Sequence, residues 1–301
     1  MAKSYLGEYS EGRGTRGAQP PGMSGNEILV VTLAGVPLAI FLVLLARRNR
    51  RSIAPEERWF GKYELVKRLG DGAMGEVWEA RHEMLIRPAA VKLIRQEALD
   101  LEGKDARARF WREAQATSAL RSPHTVELYD FGVTETGTHY YAMELLEGID
   151  LQNLVDRFGP MEPERALHVI EQVARSLDEA HELGLVHRDI KPANIFVCRL
   201  GNELDYVKVL DLGLVKPRWI AEGSAVSVEG TILGTPAFMA PEAAAVRSVD
   251  GRADLYSLGC VAYWLLTGTW VFDARSAAGL LVAHLHQTPE RPSERLGHEI
   301  P

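Results

Sequence analysis

Cysteine is nearly absent: the 301 residues hold two, Cys198 and Cys260. They stand 62 positions apart, so the chain has no CxxC pair and no zinc-ligand spacing. That excludes a disulfide-stapled secreted module and leaves two buried thiols in a reducing compartment as the expectation. A surplus of positive charge is missing as well. Lys and Arg number 34 against 41 Asp and Glu, a net charge of −7, which argues against a general nucleic-acid binder. Internal repeats are lacking, and at 46% apolar residues the composition is neither collagenous nor that of a disordered tail. Long uncharged apolar runs are lacking everywhere except in one place.

That place is residues 28–46, from Ile28 to Ala46, without a single charge. Nineteen residues at about 1.5 Å each make roughly 28 Å of helix, close to the hydrocarbon thickness of a bilayer. Gly35 and Pro37 inside the run are tolerable in a membrane helix. Arg47, Arg48, Arg50 and Arg51 follow at once, and such a cluster stays on the cytoplasmic side. A cleaved signal peptide would carry its charges before the apolar stretch instead. Residues 1–27 are Gly-, Ser-, Pro- and charge-rich and read as a disordered extracytoplasmic segment; residues 47–62 read as a basic juxtamembrane linker. The charge divides at the same point. Residues 1–62 hold 9 basic and 5 acidic side chains, and residues 63–301 hold 25 and 36. The expected placement is a single-pass membrane protein with its N-terminus outside and everything after Arg47 in the cytoplasm.

Beyond residue 62 the patterning changes twice. Residues 63–147 read as mostly β: strands over Tyr63–Leu69, Glu76–Arg81, Ala89–Ile94 and His139–Leu145, with one amphipathic helix over Ala106–Leu120. Residues 148–301 read as helical. Pro163 opens a long helix whose face is Leu167, Ile170, Ala174, Leu177 and His181, with Gly184 at its end. A second helix over Asp254–Leu266 stops at Gly268, and a third lies near Ala277–His286. The fold class is α+β: a β-rich lobe, then a helical lobe, after one transmembrane helix.

The chemistry sits in short motifs. Gly70-Asp71-Gly72-Ala73-Met74-Gly75 is a GxGxxG run, weak by itself. Strand-like Val77-Trp78-Glu79-Ala80 follows it, so the glycines sit in a hairpin, where backbone N–H groups can approach phosphates closely. An ordinary hairpin turn is the plain alternative. Seventeen residues after Gly75 comes Lys92 between apolar neighbours, and 21 further on comes Glu113 on the amphipathic helix. A strand lysine of this kind is expensive to bury without a partner. His187-Arg188-Asp189-Ile190-Lys191-Pro192-Ala193-Asn194 then sets Asp, Lys and Asn at offsets 0, +2 and +5, and Asp211-Leu212-Gly213 follows at +22. Gly234-Thr235-Pro236, Ala240-Pro241-Glu242 and Asp250-Gly251-Arg252-Ala253-Asp254 complete the series. Chance can supply any one of these, but not all of them in order at workable spacings.

Residues 63–290 resemble a eukaryotic-like serine/threonine protein kinase of the kind bacteria carry. The resemblance implies roles. Gly70, Gly72 and Gly75 would cover the ATP phosphates; Lys92, held by Glu113, would bind the α- and β-phosphates. Asp189 would orient the substrate hydroxyl and accept its proton, Lys191 would steady the γ-phosphate, and Asn194 and Asp211 would hold Mg²⁺, with Mn²⁺ as a substitute. Met143-Glu144-Leu145-Leu146 matches the hinge, where backbone at Glu144 and Leu146 would meet the adenine edge. Leu69, Val77, Ala90 and Phe196 would wall the adenine, and Asp150 would meet the ribose. Lys191 and Thr235 fit the Ser/Thr type. Loose phosphoryl transfer asks for alignment and charge neutralisation rather than covalent help, which is what this set supplies.

Regulation and completeness are implied in the same way. Arg188 would receive a phosphate on the loop 214–233, with Thr231 and Ser227 the first candidates and Ser224 next; Thr235 is the further regulatory candidate. Partners are then protein substrates bearing Ser or Thr and a second copy for trans-autophosphorylation, with no nucleic acid. The leucine in Asp211-Leu212-Gly213 stands where many members have Phe. The family normally continues through two or more helices, one supplying an Arg for the glutamate of Ala-Pro-Glu. The sequence is therefore expected to be truncated at its C-terminus and Glu242 to lack that partner. Two rivals are a nucleotide-binding pseudokinase scaffold, opposed by intact Lys92, Asp189, Asn194 and Asp211, and a small-metabolite kinase, opposed by Ala240-Pro241-Glu242 and Asp254.

Overall fold

The computed structural model describes residues 58–72, 75–96, 106–212, 236–245 and 247–300. All of these belong to the unit Pro55–Pro301. The expected segments 1–27, 28–46 and most of 47–62, and the candidates Ser224, Ser227, Thr231 and Thr235, lie outside the described residues. Among the described residues, no helix is long and apolar enough to cross a membrane.

The first lobe is a six-stranded antiparallel sheet with strand order β1-β2-β3-β4-β6-β5. Its strands are β1 (Trp59–Phe60), β2 (Tyr63–Gly72), β3 (Gly75–His82), β4 (Pro88–Ile94), β5 (Leu128–Val133) and β6 (His139–Glu144). Alternation explains the start of β2, where buried Tyr63 and Leu65 alternate with half-buried Glu64 and exposed Val66 before a bulge at Leu65/Lys67, whereas β4 and β6 are buried almost throughout because α1 (Ala106–Ser118) covers one face. Phe110 and Ala114 of α1 pack with Ala90, Ile94, Tyr141 and Met143 in a small core. Burying one Phe of this kind contributes roughly 2–3 kcal/mol.

The second lobe has a larger core. Its helices are α2 (Leu151–Phe158), α3 (Pro163–Glu182), α4 (Pro241–Ala244), α5 (Gly251–Thr267), α6 (Ala277–His286) and α7 (Pro292–Leu296). A three-stranded sheet, β7 (Gly148–Asp150), β8 (Ile195–Leu200) and β9 (Glu203–Val209), lies alongside. Leu177 and Val173 of α3 meet Leu265 and Val261 of α5 in this core, at 0% exposure. Local chemistry sets the helix ends. Pro163 starts α3, Asp250 caps α5 by accepting from Arg252 N, and Gly268 ends α5 at φ 70°. The sequence alone did not mark β1, β5, β7, β8, β9, α2, α4 or α7. Both cysteines are free, Cys260 buried and Cys198 half-buried; burial pushes their thiols up to about 12 and about 11.

One backbone seam of two hydrogen bonds joins the lobes at Val209. Val126 N donates to Val209 O at 3.0 Å, and Val209 N to His124 O at 2.8 Å. Lys208 Nζ on β9 reaches Glu144 Oε1 at the end of β6, 2.6 Å away.

Candidate active site

The glycine hairpin is built by register. Gly70 stands opposite Val77, Asp71 opposite Glu76 and Gly72 opposite Gly75. The three glycines are not equivalent. A Cβ on Gly75, at φ 153°, would lie 1.8 Å from Leu93 O, so the neighbouring strand forbids a side chain there. Among the described residues, a Cβ on Gly70 would meet nothing within 4 Å, and one on Gly72 only Gly75 O at that limit. Bare backbone at Gly70 and Gly72 can be approached closely by a ligand. Charges brace the hairpin. Asp71 pairs with Arg68 and Arg95, and Glu76 accepts from Arg68 at 3.1 Å and from Trp78 Nε1 at 3.0 Å.

Lys92 arrives by the same logic. It faces Val77 across β3 and Tyr141 across β6. It is 8% exposed, and its Nζ sits 2.6 Å from Asp211 Oδ2. Its ion pair in the described residues is with Asp211, where Glu113 is the partner expected from sequence. Glu113 lies on α1, half-buried, with its Oε2 shut off from solvent. The second oxygen of Asp211 accepts from Tyr141 Oη, also at 2.6 Å. Burial, with the Asp211 charge behind it, holds the Tyr141 phenol well above its ordinary pKa, so it stays a donor. Asp211 has the left-handed φ of 58°, which turns the chain sharply as it leaves the end of β9. Short polar side chains tolerate this region best.

Asp189 is positioned from below. The buried carboxylate of Asp254, 1% exposed, accepts from His187 N at 2.8 Å, Arg188 N at 2.7 Å and His181 Nε2 at 2.8 Å. Those bonds hold the loop, with Arg188 at φ 64° and its side chain exposed. His187 Nε2 lies 2.8 Å from Leu210 O, tying this loop to the residue before Asp211. Asn194 Nδ2 donates to Asp189 O and Oδ2, both at 2.9 Å, and Lys191 Nζ stands 3.0 Å from Asp189 Oδ2. Asn194 O accepts from Leu210 N at 2.9 Å. One continuous set of contacts thus gathers Asp189, Lys191 and Asn194 beside Leu210, and Lys92 on Asp211 continues it into the sheet lobe.

The remaining expected residues fall around this set. Ala90 and Met143 are cross-strand neighbours in the small core; Val77 packs against it and Leu69 is 46% exposed. Glu144 N is engaged by Glu127 O at 3.0 Å, so an edge contact from Glu144 has to use its carbonyl. Leu146 is half-buried just beyond. Phe196 stands opposite Asp150 in the β7–β8 ladder. Asp150 caps α2, accepting from Asn153 N at 2.9 Å and Nδ2 at 2.6 Å. Glu242, in the first turn of α4, acts by its charge on Arg252 and Tyr256. Sequence reasoning missed the parts played by Tyr141 and Lys208. Both depend on which strands pair, and no local pattern marks that.

Fold and site define a protein kinase domain, and the chain belongs to that family: the family model matches residues 63–296. The chain is 39% identical over 235 residues to the serine/threonine-protein kinase pkn3 of Myxococcus xanthus, covering 78% of this chain and 43% of that protein. It is 40% identical over 238 residues to the serine/threonine-protein kinase PknB of Mycobacterium tuberculosis, covering 78% and 37%. It therefore spans about two fifths of the length of these relatives. The crystal structure of a double mutant of the PknI kinase domain of Mycobacterium tuberculosis is similar too. It has a TM-score of 0.61 at 29% identity, over 79% of this chain and 83% of that one. Membership implies ATP and a divalent metal.

Proposed function

We propose that this chain is a membrane-anchored serine/threonine protein kinase that transfers the ATP γ-phosphate to Ser and Thr hydroxyls of cytoplasmic proteins. The observation that carries the reading is the assembly of two lysines, two aspartates and one asparagine from both lobes along one set of contacts. The named relatives support the Ser/Thr class. In this reading Asp189 orients the hydroxyl and accepts its proton, Lys191 steadies the transferred group, and Lys92 neutralises the α- and β-phosphates. Glu113 is the partner Lys92 takes up when nucleotide draws it from Asp211. Leu69, Val77, Ala90 and Phe196 bracket the base.

The residues fit the implied ligands. Gly70 and Gly72 present open backbone to a polyphosphate. Asn194 and Asp211 offer the hard oxygens Mg²⁺ takes, and two protein ligands are enough where phosphates and water complete the shell. Mg²⁺ supplies charge neutralisation when bound. Anchoring by residues 28–46 with the kinase in the cytoplasm, dimerisation and loop phosphorylation at Thr231 or Ser227 opposite Arg188 belong to the same proposal. The uncharged run followed by four arginines supports the anchor.

The test is a phosphotransfer assay of the full chain with Mg-ATP and a basic protein substrate. Lys92→Met and Asp211→Asn are expected to lower labelling at least about a hundredfold. Equal labelling by the wild type and both variants overturns the reading. Carbonate-resistant membrane association that survives deletion of residues 28–46 overturns the anchor, and phosphopeptide mapping of active protein with an unmodified loop overturns the loop switch.

A further inference from the structure

Tyr141 is a buried polar group in direct contact with Asp211 that belongs to none of the sequence motifs. Its ring is 2% exposed in the small core between the sheet and α1, where an apolar side chain would pack without needing any partner. Its hydroxyl is instead aimed at a carboxylate that is 28% exposed. The register makes this unavoidable. Tyr141 and Lys92 are direct cross-strand partners on β6 and β4, so they emerge on the same face, with Lys92 Nζ 5.7 Å from the Tyr141 ring centroid. Each takes one oxygen of Asp211 at 2.6 Å.

We propose that Tyr141 is a positioning residue that fixes the Asp211 carboxylate for the divalent metal of the nucleotide complex. The inference rests on the reading of Asp211 as a metal ligand. A lysine on a four-carbon stem tethers a carboxylate loosely; a phenol held in a packed core on a rigid strand defines where the other oxygen lies. An ionised carboxylate offers about four lone-pair sites, so Asp211 can accept from Tyr141 and still ligate a metal. When nucleotide draws Lys92 away to its phosphates, Tyr141 keeps the carboxylate in register.

The experiment is equilibrium binding of a fluorescent ATP analogue to the full chain, titrated with Mg²⁺ and repeated without metal. Tyr141→Phe keeps the ring and removes the donor. It is expected to raise the Mg²⁺ concentration for half-maximal binding by about five- to tenfold while leaving metal-free affinity unchanged. In an Asp211→Asn background the same substitution is expected to add nothing. An unchanged or lowered Mg²⁺ requirement in Tyr141→Phe overturns the proposal, as does an equal additional effect in Asp211→Asn. Tyr141→Leu, also apolar, is expected to match Tyr141→Phe in metal dependence whatever it does to stability; if only the less stable variant shifts, the role is packing alone. A wild type whose nucleotide binding ignores Mg²⁺ defeats the kinase reading itself, a result distinct from failure of the Tyr141 inference.

Discussion

The two lobes hold their functional groups in opposite ways. In the helical lobe, the loop bearing Asp189 hangs from one buried acid, Asp254, through two backbone N–H groups, and Asn194 clamps Asp189 at two points. In the sheet lobe, strand register does the positioning. Lys92, Tyr141 and Val77 are lined up by pairing, and Gly70 and Gly72 of the hairpin have no close neighbour among the described residues. One lobe is preorganised by satisfied polar groups; the other keeps part of its surface open for a ligand to complete. Catalysis by alignment needs the first, and entry and exit of a polyphosphate need the second.

The sharpest way to break the comparison is Asp254→Ala. It strands the N–H groups of His187 and Arg188 inside the protein, at a cost of about 3–5 kcal/mol. Urea unfolding of the full chain is expected to show a correspondingly lowered midpoint and phosphotransfer to be lost. A variant with wild-type stability would mean that the helical lobe does not depend on this anchor. Next in size is Gly75→Ala, which pushes a methyl to within 1.8 Å of Leu93 O. A loss of about 3 kcal/mol is expected, measured by the same unfolding. Glu144→Gln attacks the seam between the lobes. Lys208 Nζ loses its anionic partner while Glu127 N keeps an acceptor. About 1–2 kcal/mol is expected, and hydrogen exchange should rise at the β6–β7 junction rather than in α3 or α5.

What could be read from the sequence follows the same division. The helical lobe announces itself locally. Asp189, Lys191 and Asn194 lie within six residues, and helix ends at Pro163 and Gly268 carry their own chemistry. In the sheet lobe the strands β2, β3, β4 and β6 were legible from alternation and apolar runs. Which strand pairs with which was not, because pairing is decided by the whole lobe's packing. Tyr141 showed only as part of the strand His139–Leu145 for that reason, and its bond to Asp211 spans 70 positions. The β8–β9 hairpin was missed because the motif residues on either side, Asn194 and Asp211, drew the reading away from the β-rich run between them. Its β-branched and apolar residues, Ile195, Val197, Val207 and Val209, are the signal that could have found it.

The smallest expected change in stability separates the two kinds of glycine within one hairpin. Gly75 and Gly72 face each other across the end of the β2–β3 ladder, so sequence position and motif membership are matched. Only the surroundings differ: backbone at 1.8 Å in one case, an atom at the 4 Å limit in the other. Gly72→Ala carries no positive-φ penalty and meets no close neighbour, so unfolding should move by no more than about 0.5 kcal/mol. A methyl there projects into the surface left for phosphates, and Mg-ATP affinity should fall about tenfold, equivalent to ~1.4 kcal/mol. The two measurements together decide what the open backbone is for. Lost affinity without lost stability assigns it to the ligand. Unchanged affinity would make Gly72 an ordinary turn residue and leave the phosphates, in the sheet lobe, to Lys92 and Gly70.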